Sequence, residues 1–158
     1  MWKSKRVRLN IAMLGVFLVT SLAYSENWIK LPQEAGDKDK SGKLMYSVYL
    51  DKDSAIRVGY TEIRYWTKTI WTKAGQDDYV QRTAGDPLAA KQPASYVLTL
   101  YAVTSDRRNR TVLIKAYDHG GKLLTSSEIQ EIPENVSPFS HIEPGSRYEK
   151  CWQILWSR

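Results

Sequence analysis

A chain of 158 residues with a formal charge of +6 and a pI near 9.4 invites a nucleic-acid reading, but the charge is unevenly placed. Lys3, Lys5, Arg6 and Arg8 precede an apolar run over residues 11–22, followed by Ala23-Tyr24-Ser25, with small residues where signal peptidase needs them. Cleavage before Glu26 leaves 133 residues with 19 basic and 17 acidic side chains, a net +2, which excludes nucleic-acid binding as an inference from charge.

Residues 1–25 therefore read as a cleaved signal peptide and residues 26–158 as one domain with a modest core. The apolar run is shorter than the about 20 residues that span a bilayer, and no cysteine beside the cut offers a lipid attachment point. The expected location is the periplasm or the exterior, with no membrane anchor after cleavage. The lone Cys151 excludes an intramolecular disulfide, and burial as a small apolar group is expected for it, with an intermolecular bond as the alternative.

In chain order, residues 27–31 predict a short strand stopped by Pro32. A polar loop over residues 33–43 follows, in which Asp37-Lys38-Asp39-Lys40-Ser41-Gly42 matches the first half of a calcium loop. Val48 stands where the closing glutamate would be, and the lysines oppose a cation, so a solvated turn is expected. Residues 44–50 predict a second strand and Asp51-Lys52-Asp53-Ser54 a turn, with a kink or bulge at Gly59.

Residues 60–71 form the longest alternating stretch. Ile63, Tyr65, Thr67, Thr69 and Trp71 fall on one face of a strand, and Glu62, Arg64, Trp66, Lys68 and Ile70 on the other. Residues 73–93, with two glycines and two prolines, predict a long surface excursion with a helical turn or two over residues 77–83. Residues 95–104 carry large apolar groups on both faces, as a strand covered on both sides would.

Asp106-Arg107-Arg108-Asn109-Arg110 predicts a turn whose three arginines could meet an anionic partner or merely keep an edge soluble. Residues 111–118 and 123–129 form a hairpin across His119-Gly120-Gly121-Lys122. His119 and His141 lack the partners that a metal site needs. A proline-punctuated loop over residues 132–145 leads to Ser146-Arg147-Tyr148-Glu149, a capping box. Tyr148, Cys151, Trp152 and Leu155 then recur at helical spacing. The fold expected is α+β: a single antiparallel meander of about six strands with a C-terminal helix packed on it.

Several of these features recur in a known order: Trp28, Asp51-x-x-Ser54 leading to Ile56, Trp66-x-Lys68, Tyr117-Asp118-x-x-Gly121-Lys122, and Ile142-x-Pro144-Gly145-Ser146 before the last helix. Together they resemble the bacterial surface-adhesin protein E-like domain over most of residues 26–158. The resemblance implies export by a Gram-negative bacterium; the member that names the family is an outer-surface adhesin for host plasma and matrix proteins. The family commonly has a cysteine near the turn after the middle strand and another late in the final helix, a pair that can bridge. Here those regions read Ser105-Asp106-Arg107-Arg108 and Trp156, with Cys151 about one turn earlier, so the bridge is lost. A surface-anchored adhesin would also carry a lipobox, which is missing here, so soluble periplasmic residence is expected.

The functional expectation is a small, non-enzymatic binding module for a protein or an anionic polymer, without a cofactor, catalytic residues or a metal site. Trp66, Lys68, Arg107, Arg108 and Arg110 are its candidate contact surface, with the 73–93 excursion beside them. The bland arrangement instead puts Trp66 beneath the C-terminal helix. Alternatives are an accessory or inhibitor of an envelope complex and a hydrolytic enzyme, for which no nucleophile elbow or metal spacing is visible.

Overall fold

The computed structural model describes residues 27–84, 93–128 and 139–157, so the predicted signal peptide lies outside the described residues. Strands β1 (Trp28–Lys30), β2 (Tyr46–Val58), β3 (Glu62–Trp71), β4 (Tyr96–Thr104), β5 (Arg108–Tyr117) and β6 (Leu123–Glu128) pair in sequence order, each antiparallel to the next. A two-residue strand, β7 (Ser140–His141), pairs with the start of β5, beyond the stretch that β6 covers. The meander with a C-terminal helix is as the alternation predicts.

β3 is the centre of the sheet because its alternation serves two different faces. Ile63, Tyr65 and Thr67 are buried on one of them, whereas Arg64, Trp66 and Lys68 are half-buried on the other. The first face receives α2 (Arg147–Trp156): Cys151 and Leu155 close a core of Leu31, Val48, Leu50, Ile63, Tyr65, Val103 and Ile142. Helical spacing thus meets period-two spacing over one apolar patch. Burial of Cys151 is as expected.

The capping box forms with one change. The Ser146 hydroxyl accepts the Glu149 N–H, but the Glu149 carboxylate accepts from Gly145 N–H at 2.8 Å, one residue earlier than the usual box. At the other end of the same face lies α1 (Lys73–Arg82), longer than the turn or two expected. Thr72 caps it by accepting the Gly75 N–H while donating to Leu44 and Met45 carbonyls, which ties the helix start to the chain before β2. Gly75 is obligatory there, since an added Cβ would stand 2.2 Å from the Met45 carbonyl oxygen.

Two strand predictions change. β2 continues through the Asp51-to-Ser54 segment as a bulge in place of a turn: the Ser54 hydroxyl donates to Asp51 O at 2.7 Å and accepts the Trp66 N–H at 2.9 Å, so pairing with β3 resumes at Ile56. The β4–β5 turn is shorter than the arginine run. Arg107, at φ 60°, makes it, its N–H bonding Thr104 O, and Arg108 and Arg110 are strand residues.

One residue of the 37–42 turn departs from the solvated reading. Asp37 is 1% exposed and accepts from Arg147 on α2, which also donates to Glu34 at 2.9 Å through its side chain and at 2.7 Å through its backbone N–H. Burial raises the Glu34 carboxyl, but the Arg147 hydrogen bonds and charge outweigh it and hold the group below its usual range. Asp37 alone of the calcium-like motif is a buried anchor for the start of α2; Lys38, Lys40, Ser41 and Gly42 are exposed, and Asp39 accepts the Ser41 and Lys43 N–H groups in a solvated turn, as expected.

Candidate functional site

With both described helices on one face, Trp66 points away from α2, which corrects the arrangement that buries it beneath that helix. The face it shares has no described element over it, so the two-sided cover expected for residues 95–104 is provided on one side only among the described residues. Register assembles this open face in rows across the strands. One row runs Trp28, Asp51, Trp66, Leu100, Leu113, Glu128; the next runs Lys30, Tyr49, Lys68, Leu98, Lys115, Ser126; a third holds Ile70, Tyr96 and Tyr117.

Rings therefore flank lysines on both sides. The Lys68 ammonium lies 4.7 Å from the Tyr96 ring centre and 5.8 Å from that of Trp28, and the Lys115 ammonium 5.8 Å from that of Trp66. Tyr96 and Tyr117 stack at 4.9 Å. These distances are cation–π range, and both lysines are half-buried. Neither Lys68 nor Lys115 has a described carboxylate within ion-pair distance.

The arginines differ from the lysines in this respect. Arg108 pairs with Asp106 at 2.8 Å, and Arg110 with Glu62 at 3.9 Å while stacking on Phe139. Arg107 turns to the helix side, 4.6 Å from the Trp152 ring centre and 3.5 Å from the Glu149 carboxylate. The five residues expected to form one contact surface are thus split: Trp66 and Lys68 sit together at the centre of the open face, Arg108 and Arg110 lie at the start of β5 already ion-paired, and Arg107 braces α2. Trp28, Tyr96 and Lys115 complete the central group, and only strand register could have found them.

The helix face carries a second concavity, a cleft of about 310 Å³ between α2 and the loop before β2, lined by Glu34, Thr67, Tyr101, Arg147, Tyr148 and Cys151. Its chemically capable groups are held in quiet forms. Burial pushes the Cys151 thiol up to about 12, despite the opposing effect of the Tyr65 hydroxyl. Burial likewise raises the Tyr101 phenol, whose hydroxyl lies 3.2 Å from that of Tyr148. Arg147 is consumed by its two carboxylates. A smaller apolar cavity of about 230 Å³ lies under α1 among Trp71, Tyr79, Val97 and Ala116. No cluster of His, Cys, Asp and Glu suited to a metal occurs among the described residues, and His119 and His141 are both exposed and far apart in the chain.

A third exposed feature is the β2–β3 hairpin. Ile56 is 67% exposed and Tyr60 96%, and Val58 lies between them. No helix of the described residues is long and apolar enough to cross a membrane. No protein-family model matches the chain, and neither the curated proteins nor the solved structures contain a match.

Proposed function

We propose that the chain is an exported, non-enzymatic binding module of a Gram-negative bacterium, of the surface-adhesin protein E-like kind, which contacts its partner through the open face of its sheet. The reading rests on the central group of that face: Lys68 between Trp28 and Tyr96, with Lys115 over Trp66, all half-buried, and neither lysine ion-paired among the described residues. Rings that pack tightly and charges left uncompensated suit contact with a protein or an anionic polymer, since binding then adds Coulomb attraction without first breaking an ion pair. The quiet chemistry of the helix-side cleft favours contact over catalysis, because a nucleophile or general base needs an accessible ionised form near neutral pH.

The test is capture of envelope proteins, matrix proteins and anionic polymers by the exported chain and by its Trp66→Ala and Lys68→Glu variants. Capture that falls in both variants, with circular dichroism unchanged, is the expected result; equal capture by all three would refute the assignment of this face.

A second reading, an accessory or inhibitor of an envelope complex, is favoured by the hairpin tip. Apolar side chains as exposed as Ile56 and Tyr60 fit insertion into a protein partner better than contact with a polymer. Loss of capture on Tyr60→Ser, with the Lys68 variant intact, would select it.

A further inference from the structure

The lysine row has a spacing of its own. Lys30, Lys68 and Lys115 lie on β1, β3 and β5, in one register line with the neutral Tyr49 and Leu98 between them. Neighbouring strands are about 4.8 Å apart, so the Cα atoms of these lysines recur about every 10 Å across the strands. In the adjoining Trp66 row, Asp51 is 3% exposed and accepts the Asp53 and Ser54 N–H groups; farther along the same face, Glu62 is paired with Arg64 and Arg110. Aromatic rings border the row on each side, Trp28 and Trp66 on one and Tyr96 and Tyr117 on the other.

We propose that this row binds a linear acidic polysaccharide that carries one carboxylate or sulfate on every second sugar, with the polymer lying across the strands. Such a polymer repeats its charge once per disaccharide, a length comparable to two strand spacings. It also offers the C–H faces of its pyranose rings to the flanking indoles and phenols. A polypeptide acid or a polyphosphate carries its charges more closely and lacks those ring faces. The inference rests on the open face being the binding surface and narrows what that surface holds.

Binding of hyaluronate oligosaccharides to the purified full chain, measured by calorimetry at low and raised salt, tests it. κ-Carrageenan oligosaccharides, with one sulfate per disaccharide, supply the sulfated arm, and carboxyl-reduced hyaluronate and polyaspartate are the comparison polymers. Expected are binding of an acidic disaccharide polymer that weakens with salt, no binding of the reduced form, and polyaspartate weaker by about tenfold or more. Lys68→Gln and Lys115→Gln each weaken binding by about tenfold, as loss of one charge-assisted contact does. Trp66→Ala weakens it too, and Lys73→Gln on α1 leaves it unchanged.

Equal affinity for polyaspartate, or lysine variants that bind as the parent does, would overturn the inference. Capture of proteins through Lys68 and Trp66 with no polysaccharide bound overturns it while leaving the binding face standing. Indifference of every ligand to both substitutions removes the two together.

Discussion

Replacing Arg147 by Met tests the anchor that seats α2. The Arg147 side chain is 7% exposed and serves Asp37, whose own side chain is 2% exposed, together with the more accessible Glu34 at 36%. Removing the guanidinium leaves the Asp37 carboxylate buried with the Glu34 N–H, at 3.0 Å, and the neighbouring Tyr46 hydroxyl as neutral donors. Breaking a buried pair from one side costs about 3–5 kcal/mol, and these surviving donors put this case near 3. At roughly 3 °C per kcal/mol for a domain of this size, the thermal midpoint falls by about 10 °C. Adding Asp37→Asn removes the stranded charge and recovers part of the loss, roughly 1–2 kcal/mol. Glu34 supplies the pH signature. Its folded carboxyl is held below the ordinary 4.5, so its contribution is fully present above that pH and fades as pH falls through the lowered value. Glu34→Gln therefore flattens the acid limb of the stability curve. Urea denaturation across pH and a thermal melt, both monitored by tryptophan fluorescence, measure these. A cost below about 1 kcal/mol for Arg147→Met, or no rescue by Asp37→Asn, would refute the anchor.

Two further outcomes follow from the core. Gly75→Ala, which by helix propensity alone would stabilise α1 by about 1 kcal/mol, is expected to lower the urea midpoint, because the new methyl overlaps the Met45 carbonyl and the Trp71 ring. Cys151 is expected to resist a thiol reagent in the native state and to react fully in denaturant. Its thiol is raised from 9.0 to about 12, so its contribution is intact below pH 9 and is lost as pH rises toward the higher value. Rapid native labelling would contradict its placement.

Local chemistry made much of the fold legible. Alternation marked β3 and β4, the glycine pair marked the β5–β6 turn, where Gly121 takes φ 79°, and Ser146 marked the start of α2. Trp66 and Lys68 could be placed on one face because period two needs no partner strand. What resisted reading depends on distant chain. The rows that bring Trp28, Tyr96 and Lys115 to Lys68 require a register, and two bulges reset it, between Asp51 and Ile56 and between Leu100 and Tyr101. Arg147 and Asp37 are 110 residues apart, and the lysines flanking Asp37 made it look wet. Arg108 and Arg110 looked like turn residues because three like charges discourage a strand; Asp106 and Glu62 remove that objection only once the fold exists. The surface helix α1 is mostly polar, so it offered little apolar periodicity to read.

The tie between the β4–β5 turn and α2 is entirely non-covalent: the Trp152 indole N–H donates to Thr104 O at 3.0 Å, and Arg107 lies over the same indole. Where a sulfur bridge would make maturation wait for an oxidase, this chain has only a sealed thiol and a stacked guanidinium. Assembly of the described domain therefore needs no electron acceptor, and reductant leaves its melting point where it was. The same fold can form on either side of a redox boundary.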